Sequence, residues 1–147
     1  SAYNPGWTEP KIHDIFLQGS QAILQGVKQA GVKRVLVIGG AGSLYVAPGL
    51  QLVDTPQFPP EYKQGALAAR ELLNRIEKET SLDWTLISPP IGLAPGERTG
   101  KYRIGGNDLL PGKGDVPAGI SVADLAVAIV DEIEKPQHIR KRFTAAN

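Results

Sequence analysis

A serine follows three glycines at the end of an apolar run, VLVIGGAGSLY, at residues 35 to 45. Two kinds of chemistry use such a stretch. A glycine turn between a strand and a helix cradles the diphosphate of a dinucleotide, because the helix N-terminus offers free amide donors and the positive end of its dipole. A serine at the carboxyl end of a parallel strand instead places a hydroxyl where open α/β sheets bind ligands. The spacing argues against the first. A G-x-G-x-x-G fingerprint takes Gly40 and Gly42 as its first pair, but Tyr45 stands in the third place. Proline-rich chain, not a helix, comes next, and no acidic residue sits about 20 positions on at the end of a following strand. A nucleophile elbow, G-x-S-x-G, fails at Ala41 and Tyr45. Ser43 remains as a hydroxyl at a strand end, read either as a ligand contact or as the closure of a turn.

Other chemistries have less to stand on. The chain has no cysteine, which excludes a disulfide scaffold, a thiolate nucleophile and a cysteine-ligated metal. That is compatible with a reducing compartment, and the expected location is cytoplasmic. His13 and His138 share no metal-ligand spacing with each other or with a carboxylate pair, so no metal site is expected. Sixteen basic residues against fifteen acidic ones leave a net charge of +1. That balance gives no case for nucleic acid or an anionic membrane. HIRKR (138–142) reads as a solvated end. No apolar stretch nears the 18 or so residues of a membrane span, and no signal peptide is visible.

These residues need elements to hold them. The 147 residues fit one domain. Spacing predicts a helix over 8–30, capped by Thr8, with Pro10 in its first turn and Gly31 as its stop; Ile12, Ile15, Phe16, Gly19, Ile23, Val27 and Ala30 form its buried face. Residues 33–40 predict a strand buried on both faces. Residues 43–59, with Pro48, Gly49, Pro56 and Pro59, predict a long irregular loop. A second helix is expected over 60–78, with Tyr62, Ala66, Ala69, Leu73 and Ile76 as its stripe. A second buried strand, 82–90, is stopped by paired prolines. Residues 91–119 are expected to be irregular, with a short strand or hairpin arm at 100–106. A third helix is expected over 121–136, with Ser121 and Asp124 as a capping box and Val122, Leu125, Ala126, Ile129, Val130 and Ile133 buried. A last short strand is expected within 140–147. Alternation of this kind implies crossover units on a parallel sheet.

Taken in order, SAYNPGW, GVKRVLVIGGAGSL, DTPQFPPEYK, LDWTLISPP, APGERTGKYRIGGNDLL and ISVADLAVAIVDEIEKPQHIRKRFTAAN resemble the latter half of atypical short-chain dehydrogenase/reductase proteins. More narrowly they resemble the NAD(P)H-binding group that includes NADH-flavin reductase-like proteins, close to the NmrA-like proteins. The resemblance spans almost the whole chain. It implies a Rossmann-type α/β fold, a parallel sheet with helices on both faces. The phosphate turn of that fold belongs to an N-terminal half that the resemblance does not find here. Residues 1–147 are then one domain, the C-terminal portion of an NAD(P)-binding fold. Residues 33–39 match the family's fifth strand and 83–88 its sixth, so GGAGS ends the fifth strand. The absence of methionine and the loop-like start fit a fragment, with loss of a short leader as the alternative.

The resemblance also assigns roles. Ser43 matches a serine near the nicotinamide that polarises a substrate carbonyl. Asn4, Pro5 and Gly6 border the ribose side of the cofactor. Gly40, Ser88, Pro89 and Pro90 border the cofactor at the ends of the two strands. Tyr45, Lys63, Arg98 and Lys101 border the substrate. The superfamily's Tyr-x-x-x-Lys pair is absent: Ala66 stands four places after Tyr62, and Gly49 four places after Tyr45. The implied function is NAD(P)H-dependent reduction of a small-molecule acceptor, a flavin or a quinone, by hydride transfer. The alternative is a non-catalytic dinucleotide sensor or regulator of the NmrA-like type. Lacking a phosphate turn, the isolated chain is expected to bind dinucleotide weakly, and to retain an N-terminal piece or self-associate.

Overall fold

The computed structural model describes Tyr3 and residues 5–147. In chain order the elements are α1 (Ile12–Gln29), β1 (Arg34–Ile38), β2 (Tyr45–Ala47), β3 (Leu50–Gln51), α2 (Pro60–Ile76), β4 (Asp83–Ser88), β5 (Gly92–Ala94), β6 (Arg103–Gly105), β7 (Gly119–Ser121), α3 (Val122–Glu134) and β8 (Lys141–Ala146), with single helical turns at Ala41–Ser43 and Leu52–Asp54. The expected helix, strand, helix, strand, irregular, helix, strand order is the observed one.

The main sheet runs β1-β4-β8-β6. β1 pairs parallel with β4, from Arg34 opposite Asp83 to Ile38 opposite Ile87. β4 pairs parallel with β8, from Thr85 opposite Lys141 to Ser88 opposite Thr144. β6 closes the far edge antiparallel to β8. The strands alternate their side chains between two layers. On one face, Ile87, Phe143 and Ala145 pack with Ile120, Leu125 and Ala128 under α3. On the other, Trp84 and Leu86 pack with Leu73 and Ile76 of α2. Ile12, Phe16 and Leu17 of α1 meet Ala68, Ala69 and Leu72 of α2 beside them. This is the α/β, Rossmann-type arrangement.

Several local expectations are corrected. α1 begins at Ile12, not near Thr8, and no side chain caps it. Its buried face is Ile12, Phe16, Leu17 and Ser20. Ile15 and Gly19 turn instead toward Tyr3, whose hydroxyl donates to the Ile15 carbonyl at 2.6 Å while its ring occupies the space a Cβ on Gly19 would need. The stop is as expected. Gly31 takes φ +73°, the amide of Val32 reaches the Val27 carbonyl and that of Gly31 the Lys28 carbonyl, which is the Schellman pattern.

β1 lies at the sheet edge, paired with β4 alone among the described residues; its residues are half-buried and Ile38 is exposed. The 43–59 loop contains the β2–β3 hairpin, which turns at Pro48 and Gly49. In α2 the predicted stripe is buried except for Tyr62, which the first turn leaves in solvent. The irregular segment holds β5, paired parallel with β7. In α3 the buried residues are Asp124, Leu125, Ala128 and Glu132, while Val122, Ala126, Val130 and Ile133 are exposed.

Candidate functional site at the ends of the parallel strands

The ladder of β1 continues one residue past the strand, where the Gly39 amide donates to the Ile87 carbonyl at 2.8 Å. The glycines beyond answer to packing. A Cβ at Gly39 would come within 2.8 Å of the Leu86 side chain, and one at Gly42 within 2.9 Å of the Ala66 Cβ on α2. The turn that follows has three residues and leads into an extended strand. No helix N-terminus and no open row of amides is formed there. These residues therefore do not suit a diphosphate.

The same turn delivers Ser43 to a buried guanidinium. Arg142, second residue of β8, points to the α2 face of the sheet, beyond the edge of that helix's cover. Its Nη1 donates to Ser43 Oγ at 3.1 Å and to Ser88 Oγ at 3.3 Å. Its Nη2 donates to the carbonyls of Ser43 at 3.2 Å and Asn107 at 3.4 Å, and its Nε to Asn107 Oδ1 at 2.9 Å. All five donors of the group are used, and every acceptor is neutral. Arg142 is 8% exposed, Ser43 4% and Ser88 0%. Burial pulls the guanidinium below its ordinary value, opposed by the more distant negative charges of Glu77 and Asp108. It stays charged at neutral pH, since the ordinary value is so high.

Neighbouring elements fix this arrangement. The Thr144 hydroxyl donates to the Ser88 carbonyl at 2.7 Å, tying the ends of β4 and β8 together. Pro89 and Pro90 follow, both buried. The Tyr45 amide donates to the Asn107 carbonyl, and the Leu109 amide to the Tyr45 carbonyl, each at 2.9 Å. That bridge forms one wall of a cleft of about 520 Å³ lined by Tyr45, Val46, Pro48, Asn107, Asp108 and Leu109.

Of the predicted site residues, Ser43, Ser88 and Tyr45 thus converge, with Gly40 at the root of the turn and the two prolines behind. Lys63 sits exposed on the first turn of α2, and Arg98 and Lys101 are exposed on the segment after β5. None of the three contributes a side-chain bond to the Ser43–Arg142 group. Gly6 takes φ +86°, in a turn that precedes α1. Pro5 beside it is half-buried. Asn4 lies outside the described residues.

The segment carrying Arg98 and Lys101 is anchored by Asp124. This fully buried carboxylate accepts from the Thr99 amide at 2.9 Å, the Thr99 hydroxyl at 2.7 Å, the Gly100 amide at 2.8 Å and Asn147 Nδ2 at 2.8 Å. The Thr99 hydroxyl leads in holding its pKa down at about 2, against the opposing effect of burial. The capping box is therefore half formed. Ser121 Oγ accepts from the Asp124 amide, but the Asp124 carboxylate is spent on the loop, and the Ser121 amide donates to Asn147 instead.

Arg142 and Asn107 were not among the predicted site residues. HIRKR was expected to be solvated, and two of its members are not. Arg142 is buried, and His138 pairs with Glu132 at 2.8 Å while stacking on Phe143 at 4.5 Å. The signal lay in RKRFTAA, where one basic residue shares a strand with five that are buried or small. No group of three or more His, Asp or Glu residues placed to hold a metal occurs among the described residues. No helix among them is long and apolar enough to cross a membrane.

A family model described as NAD(P)H-binding matches residues 4–136. The protein YwnB of Bacillus subtilis, whose function is uncharacterized, is 39% identical over 142 residues, covering 94% of this chain and 66% of that protein. A solved structure from Burkholderia pseudomallei, provisionally named an exported protein, is 45% identical with a TM-score of 0.86, covering 99% of this chain and 69% of its own. One from Streptococcus pneumoniae, provisionally named an NADH-flavin reductase, is 34% identical with a TM-score of 0.82, covering all of this chain and 68% of its own. The chain thus spans about two thirds of the length of these relatives.

Proposed function

We propose that this chain, which belongs to the NAD(P)H-binding family, is the acceptor-side portion of an NAD(P)H-dependent oxidoreductase of the atypical short-chain type, reducing a flavin or a quinone. The observation that carries the reading is the Ser43 hydroxyl, held at the carboxyl end of the parallel strands on a buried cation. When bound, the nicotinamide supplies hydride. Ser43 donates to the acceptor oxygen on which negative charge develops, in surroundings poor in water, where such a donor counts most. Because Ser43 is nearly covered, the acceptor approaches over the rim formed by Tyr45 and Asn107. Gly40, Ser88, Pro89 and Pro90 border the nicotinamide end on this reading, with Pro5 and Gly6 toward the ribose. Lys63, Arg98 and Lys101 serve an anionic acceptor from the periphery.

The described residues hold no cradle for a diphosphate. On this reading the phosphates are held by chain outside residues 1–147, the chain being the C-terminal portion of the fold, and the free edge of β1 is covered by that chain or by a second copy. Concentration-dependent light scattering of the 147 residues tests the edge. A cytoplasmic location goes with the reading, and cell fractionation tests it.

The experiment is NAD(P)H oxidation by the full-length gene product with free flavin mononucleotide or a benzoquinone as acceptor. Turnover that falls in Ser43→Ala supports the reading. Dinucleotide binding with no turnover favours the second reading, a sensor or regulator of the NmrA-like type. One observation favours that second reading: no lysine stands four places after Tyr45 or Tyr62, so no tyrosine of the superfamily's pattern is poised as a proton donor.

A further inference from the structure

We infer that Arg142 is a positioning residue that fixes Ser43 as a hydrogen-bond donor toward one electron-rich oxygen, the carbonyl of a quinone or flavin. The inference rests on the oxidoreductase reading for what carries that oxygen. The geometry begins from the fact that a guanidinium only donates. At the 3.1 Å contact between Arg142 Nη1 and Ser43 Oγ, the serine must therefore accept. Its single hydrogen is left to point away from Arg142. Ser88 Oγ accepts from the same nitrogen at 3.3 Å and is constrained in the same way. Ser43, the less deeply buried of the two, is the one that meets the acceptor.

Tying β8 to the turn does not by itself require a cation. A neutral amide at position 142 could make two of these bonds without the desolvation cost of a buried charge. None of the ion pairs among the described residues includes Arg142. A buried positive charge bonded to neutral groups polarises them, and each hydroxyl becomes a stronger donor along the chain of bonds. Negative charge arriving on an oxygen beyond Ser43 supplies the counter-charge that the resting protein lacks. Nε is steadied by Asn107, an exposed residue, at 2.9 Å. That contact allows the guanidinium to be loosened without removing it.

The test uses the full-length protein in four forms: wild type, Ser43→Ala, Arg142→Lys and the double variant, with NAD(P)H and a benzoquinone. We expect kcat to fall about tenfold to a hundredfold in each single variant with KM nearly unchanged, and the double variant to be no slower than Ser43→Ala. Additive losses, or a loss confined to KM, overturn the role of Arg142 and leave that of Ser43 standing. If Arg142→Lys does not fold, Asn107→Ala replaces it, with a smaller drop in kcat expected on wild type and none on Ser43→Ala. If wild type shows no turnover with any acceptor, the oxidoreductase reading fails. The same cycle is then read in dissociation constants for flavin mononucleotide by fluorescence quenching. Coupled losses keep the pairing of Arg142 with Ser43, and additive or absent ones overturn it.

Discussion

Asp124 and Thr99, 25 residues apart, meet twice: the carboxylate takes the Thr99 amide at 2.9 Å and the Thr99 hydroxyl at 2.7 Å. The carboxylate is acceptor-only while ionised, and all of its bonds use that capacity. An amide in its place would turn its NH2 group against donors. We therefore expect Asp124→Asn to loosen residues 99–101 and lower Tm at neutral pH. Faster amide hydrogen exchange at Thr99 and Gly100 is the local measure.

The same carboxylate gives a pH dependence with a definite sign. Its pKa is lowered to about 2 in the folded chain, against about 3.9 in an unfolded one. Stability from Asp124 is thus fully present above about pH 4 and is lost as pH falls toward 2. Glu79 is also held at about 2, chiefly by Lys28, and titrates over the same range. The comparison is therefore between wild type and Asp124→Asn. Wild type should lose more Tm between pH 4 and pH 2 than the variant; equal losses would show that Asp124 gives nothing there.

Gly42 gives a packing prediction. A methyl group there would sit 2.9 Å from the Ala66 Cβ and 3.3 Å from the Val53 Cβ, both in buried, closely fitted positions. Gly42→Ala should destabilise by about 1–3 kcal/mol through overpacking. Because the turn also delivers Ser43, turnover should fall along with the urea midpoint. An unchanged midpoint would mean that α2 yields freely.

The two faces of α3 and its neighbours should respond unequally. Phe143 is fully buried against Leu125 and Ala128, so Phe143→Ala should cost about 3–5 kcal/mol. Val130 is about half exposed, so Val130→Ala should change stability by no more than about 0.5 kcal/mol. Urea unfolding of the two variants checks the contrast. A large loss at Val130 would show that this face is covered in the sample.

Much of the fold was legible because its strongest signals are local. Gly31 stops α1, Pro60 starts α2, Ser121 caps α3, and the runs at 34–38 and 83–88 have strand composition. What failed was orientation. The apolar residues of α3 outnumber what one sheet face can cover, so periodicity could not say that Val130 and Ile133 face out while Glu132 is buried. Glu132 is inside because His138, Gln137 and Arg34 donate to it, and those partners come from distant parts of the chain. The short parallel pair of β5 with β7 has three residues per strand and no period to detect. The site was half legible for the same reason. Ser43 and Ser88 announce themselves at strand ends, but Arg142 lies 99 residues from Ser43 and joins it only through the order of the sheet.

That order has a bearing on how the molecule is made. β8, synthesised after every other strand described, lies between β4 and β6. While the ribosome is still extending residues 106–140, the ribbon at 103–105 has no neighbour to zip against, and one flank of β4 is bare. The last six residues of β8 must slide into a slot already bounded on both sides, closing a long loop as they do so. Nascent chains stalled before residue 141 should therefore be sticky and chaperone-dependent, and those stalled well past 147 should not.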